Sequence, residues 1–165
     1  MTTPQTRLIL TLLLTVISLV GCGGNAATDA NSSSGSNTQQ AANTNSAKTN
    51  VEELGMLINV PYESDEVFWK DDTSHKKLVA VLKFPPNEST RLIADAEKVR
   101  PAQNVSISPE SWFPPELVAQ SDMAGDDTLK GRSFAANAFF QDQYNDGRVV
   151  QVDGTDYFVL ELTAK

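Results

Sequence analysis

Residues 148–162 read RVVQVDGTDYFVLEL. Two runs, Arg148–Val152 with three valines and Thr155–Leu162 with Tyr157 and Phe158, flank Asp153-Gly154. That dipeptide tolerates positive φ at both central positions of a two-residue turn, so the segment predicts a β-hairpin. A two-residue turn pairs Val152 with Thr155 and Val149 with Phe158. Side chains alternate along a strand, so Phe158, Leu160 and Leu162 share a face with Val149, and that face packs on the core.

Upstream, Lys76–Phe84 is a second strand, KKLVAVLKF. Leu78, Ala80, Leu82 and Phe84 point one way, and Val79, Val81 and Lys83 the other. Glu66–Lys70 is a short strand before it, with a turn over Asp71–Ser74. Pro85-Pro86 ends the second strand. Asn87 then reads as a helix cap, Glu88 complements the helix dipole, and Leu92, Ile93, Ala96 and Val99 form one apolar stripe of a helix over 88–99. Val51–Ile58 has helical spacing interrupted by Gly55, and Val60-Pro61 is extended. Ser108-Pro109 opens a short helical turn, and Pro114-Pro115-Glu116 opens another that runs to about Gln120. Leu129–Phe140 fits either a helix or a strand. The expected domain is α+β: an antiparallel sheet of about four or five strands that ends in the hairpin, with one main helix on one face.

That domain fills residues 51–165 of a 165-residue chain. It holds every Lys and Arg except Arg7 and Lys48 and every acid except Asp29, which gives 11 basic residues against 20 acidic ones and a charge of −9. Such a balance argues against nucleic acid as a partner, because that affinity rests on cations that neutralise phosphates. One Cys excludes an internal disulfide, and one His with one Cys excludes a zinc site built mainly from them.

Residues 23–50 are a different material. The stretch has 28 residues, no apolar side chain larger than Ala, and only Asp29 and Lys48 charged. It cannot offset the entropy of ordering, so it reads as a disordered Ser/Asn/Ala/Thr-rich tether. Its root-mean-square reach is roughly 30 Å.

Ahead of it, residues 8–20 are thirteen uncharged residues, LILTLLLTVISLV. They are too few to span a bilayer and fit the apolar region of a secretory signal. Leu19-Val20-Gly21-Cys22 follows. This resembles the lipobox of bacterial lipoprotein precursors. The resemblance covers about 22 residues and implies that residues 1–21 are a signal peptide, that Gly21-Cys22 is the cleaved bond, and that Cys22 carries the lipid. Membrane contact then runs through that lipid. Each buried methylene contributes about 0.8 kcal/mol, so two or three chains hold stably. In lipoproteins of enteric type an Asp after the Cys favours retention in the inner membrane. Gly23 stands there instead, which points to the outer membrane if the cell has one, with the domain in the periplasm or at the surface.

Few residues of the domain suggest chemistry. His75 sits in a string of turn formers, where an exposed imidazole is the expectation and no triad is specified. Asp122, Asp126 and Asp127 lack the alternation of a calcium loop. Gly125, Gly131 and Gly147 form no phosphate loop. No catalytic residue, metal ligand or cofactor is therefore assigned. Trp112-Phe113-Pro114-Pro115 is the most distinctive local feature: a core plug or an apolar ledge for a partner. Trp69, beside Phe68, is a further candidate for exposure. The candidate binding surface is thus Trp112, Phe113 and Trp69. The expected function is a non-enzymatic binding or accessory domain of the cell envelope, with an envelope protein as partner. The alternatives are an envelope hydrolase with dispersed carboxylates and His75, or a structural surface protein.

Overall fold

The computed structural model describes residues 46–165. The signal peptide, Cys22 and the tether up to residue 45 lie outside the described residues. The elements are α1 (Val51–Gly55), β1 (Glu66–Asp72), β2 (Lys77–Lys83), α2 (Pro86–Glu97), β3 (Gln103–Ile107), α3 (Pro115–Ala124), β4 (Leu129–Ala135), β5 (Tyr144–Val152) and β6 (Tyr157–Ala164), with a 3-10 turn at Asn137–Phe139. The class is α+β. The strands form one antiparallel sheet in the order β1-β2-β6-β5-β4-β3. It has six strands rather than four or five, because the ambiguous 129–140 segment and the 102–108 segment both supply a strand. Among the described residues no helix is long and apolar enough to cross a membrane.

Both faces of the sheet are covered, which explains why β2 and β6 are apolar at nearly every position. One face buries Trp69, Leu78, Ala80, Leu82, Phe84, Phe134, Val149, Phe158, Leu160 and Leu162 against Leu54, Ile58, Tyr62, Leu92, Ala96 and Phe139. The other buries Val79, Val81, Val150, Val152 and Val159 against Phe113 and Leu117. α1 and α2 therefore lie on the first face, and α3 lies on the second.

α2 begins at Pro86, with Pro85 at the cap, so Asn87 lies inside the helix and is not its cap. Proline suits the first helical position, where its missing N–H has no helical acceptor. The helix stops at Glu97, ahead of the Arg100-Pro101 restriction. Val99 thus falls beyond the stripe and is 57% exposed. Ser108-Pro109 starts no helix; the chain makes a single turn closed by Phe113 N–H to the Glu110 carbonyl at 2.9 Å.

The C-terminal hairpin forms with a longer loop than a two-residue turn. Val149 pairs with Leu160 and Gln151 with Phe158, which leaves residues 153–156 as the connection. A shift of two residues preserves which side chains share a face. Val149, Phe158, Leu160 and Leu162 all enter the same core.

The folded body also starts earlier than Val51. Lys48 and Trp69 exchange both backbone hydrogen bonds, at 2.9 and 2.8 Å. Asn50 Oδ1 caps α1 by accepting the Glu53 N–H. Lys48 further pairs with Glu53 at 3.2 Å and lies 4.5 Å from the centroid of the Trp69 ring.

Candidate functional site

The three aromatic candidates separate. Trp69 is 1% exposed and belongs to the core, which corrects the expectation of a surface residue. Its cover is residues 48–58: Leu54 and Ile58 share its cluster, and its Nε1 donates to the Asn50 carbonyl at 3.1 Å. Lys48 and Asn50 of that cover fall within the 23–50 segment whose composition reads as tether. Phe113 is likewise a core residue, at 5% exposure among Ile107, Leu117, Leu129 and Val150. Trp112 alone keeps partial exposure. Its Nε1 donates to Glu110 Oε2 at 2.7 Å, its ring meets Phe113 edge-on at 4.7 Å, and Lys70 Nζ lies 5.6 Å from its centroid.

His75 sits at the tip of the β1–β2 turn, its side chain 79% exposed. Asp72 Oδ1 accepts from the Ser74 hydroxyl at 2.5 Å and from the His75 backbone N–H at 3.1 Å; Oδ2 meets His75 Nδ1 at 2.6 Å. The Ser74 hydroxyl and His75 then hold the Asp72 carboxyl well below its usual range. Ser74 Oγ approaches the same nitrogen, Nδ1, at 3.1 Å. A nucleophile–base–orienter relay needs the two ring nitrogens to face different partners. This group instead braces a turn in which Lys76 has φ 53°.

Asp122 lies in α3, which ends on left-handed Gly125. Asp126 accepts from the Thr128 hydroxyl and N–H, at 2.9 and 3.3 Å, which lowers its pKa. Among the described residues no three His, Cys, Asp or Glu side chains converge on a point where a cation would sit.

A hollow lies elsewhere, where α1, the 60–65 link and the outer edge of β1 meet. Its volume is about 730 Å³. Val51, Val60, Pro61, Tyr62 and Val67 give it apolar walls, and Glu52, Glu63 and Asp65 line it with carboxylates. Tyr62 fixes the wall from beneath: its ring packs on Phe84 and Phe139, and its hydroxyl donates to Asp95 at 3.3 Å. Burial, then Asp95, pushes its pKa up. Arg91 ties the link to α2 by donating to the Pro61 carbonyl at 2.5 Å. Among the described residues Glu52, Glu63 and Asp65 take part in no ion pair.

This groove was not read from the sequence. The available signal was a run without a basic residue from 49 to 69 that carries five acids, Glu52, Glu53, Glu63, Asp65 and Glu66. Only the fold brings both ends of that run to one strand edge. No family model matches the chain, and neither a curated protein nor a solved structure does.

Proposed function

We propose that the protein is a lipid-anchored binding domain of a bacterial cell envelope. Support for the anchor is the apolar run 8–20 followed by Leu19-Val20-Gly21-Cys22. Cys22 carries the lipid, and cleavage falls between Gly21 and Cys22. Gly23 supports outer-membrane sorting where such a membrane exists. Residues 23–45 are a polar spacer, and the folded body begins near Lys48.

The observation that carries the binding reading is the groove beside β1. It joins apolar walls to carboxylates that form no ion pair among the described residues, at about 730 Å³, within the size range of ligand sites. Trp112, half-buried with Glu110 and Lys70 around it, serves as a secondary contact.

Two measurements on cells expressing the full-length chain test the anchor. Metabolic labelling with an alkyne-bearing fatty acid should mark the wild type and leave Cys22→Ala unmarked. Fractionation should move Cys22→Ala out of the mature membrane-bound pool. Equal labelling of both proteins would remove the anchor from the account.

A further inference from the structure

The groove meets the outer edge of β1 at Val67, one rung away from the rung that the chain fills at Trp69. Lys48 and Trp69 bond backbone to backbone, so the Trp69 N–H and C=O point away from β2. Alternate residues of a strand aim these groups the same way, so those of Val67 also point outward. The chain that covers Trp69 turns into α1 at Val51 and does not continue to Val67. Among the described residues no backbone group meets Val67 on that side. An open rung thus sits beside the apolar walls of the groove, next to a rung that the chain fills itself.

The occupant can be narrowed by chemistry. Residues 23–45 contain no Lys, no Arg and no apolar side chain larger than Ala. They match neither the carboxylates nor the walls. A second copy of the chain brings another domain of charge −9 to an already acidic rim. A segment with cations on one side and aliphatic side chains on the other satisfies Glu52, Glu63 and Asp65 together with Val51, Val60 and Pro61. Pairing at the Val67 rung supplies main-chain bonds, and the alternating side chains supply the rest of the affinity and the selectivity.

We propose that the groove takes an extended segment of a partner protein, with basic and aliphatic side chains in alternation, as an added strand on the outer edge of β1. This rests on the binding reading above and names its ligand class.

The probe is dye-labelled acetyl-Lys-Val-Lys-Val-Lys-amide, titrated by anisotropy into the full-length protein in nonionic detergent micelles. Saturable binding is expected, weaker as salt rises. Glu52→Gln, Glu63→Gln and Asp65→Asn together should weaken it about tenfold, the sum of three exposed pairs. Asp122→Asn, Asp126→Asn and Asp127→Asn remove as much charge far from the groove and should change it less than about twofold. Hydrogen exchange of the Val67 amide should slow on binding.

Several results overturn the proposal: no binding, equal weakening by both triple variants, equal binding of the Glu-Val-Glu-Val-Glu peptide, or unchanged exchange at Val67. Self-association that blocks the peptide would make a second copy the occupant and overturn it too. If the peptide fails while a photo-cross-linking amino acid placed at Ser64 still captures a discrete protein in cells, the ligand class falls and the binding reading stands. If both fail, the groove is not the binding site.

Discussion

Trp69 and Trp112 serve opposite sides of the same sheet. Trp69 fills the core beneath residues 48–58, so Trp69→Ala removes a fully buried side chain. The expected cost is about 3–5 kcal/mol, read as a lowered urea midpoint. Trp112 is packed on one side only, and Trp112→Ala should cost about 1 kcal/mol. Equal losses would contradict this difference in burial. Tyr144 adds a polar case. It is 1% exposed, and its hydroxyl donates to Asp71. Tyr144→Phe should cost about 1 kcal/mol in the same titration. The sequence marks all these residues as large and aromatic. It does not mark which are covered, because part of the cover of Trp69 comes from residues 48–50, which resemble spacer, and Lys48 pairs with a strand twenty-one positions away.

At the scale of elements, the β5–β6 hairpin shows what local pattern decides and what it leaves to tertiary contacts. Its existence and the face of each side chain follow from alternation and Asp153-Gly154. Its loop length does not, because the loop is held by neighbouring strands. The Asp153 N–H donates to the Lys130 carbonyl at 2.9 Å, and the Phe84 N–H donates to the Asp156 carbonyl at 3.2 Å. Thr155 closes the loop from within: its hydroxyl donates to the Val152 carbonyl and accepts from the Tyr157 N–H, both at 3.1 Å. Thr155→Val keeps the shape and loses both bonds, so a loss of about 1 kcal/mol is expected in thermal or urea unfolding. Gly147 is the other constraint. It sits in β5 at φ 143°, and a Cβ there would stand 2.1 Å from the Glu161 carbonyl oxygen. Gly147→Ala should therefore cost on the order of 3 kcal/mol, and an unchanged midpoint would contradict this backbone path. The groove was less legible than the hairpin for a related reason: its walls come from a helix, a link and a strand edge, and no single periodicity records their meeting.

For the molecule as a whole, titration sets the range of stability. Burial, reinforced by Asp95, Asp71 and Glu66 respectively, raises the pKa values of Tyr62, Tyr144 and Tyr157. Their contribution is full below the ordinary tyrosine value of about 10 and is lost as pH rises through the raised values. On the acid side, a hydrogen bond from Lys83 lowers Glu66, and one from Lys98 lowers Asp95. That contribution is present above the ordinary carboxylate values of about 4 and is lost as pH falls through the lowered ones. Urea midpoints measured across pH should form a plateau between about 5 and 9, with a fall on each side. A midpoint that climbs beyond pH 10 would contradict the tyrosine environments. The central claim, an anchored domain that binds through the groove, is tested most directly in living cells. A photo-cross-linking amino acid is placed at Ser64 in the groove or at Asp127 on the α3–β4 loop, in wild-type and Cys22→Ala backgrounds. The account requires a discrete protein adduct from Ser64 that depends on Cys22 and is missing from Asp127. The same adducts from both positions, or adducts indifferent to Cys22, would contradict it.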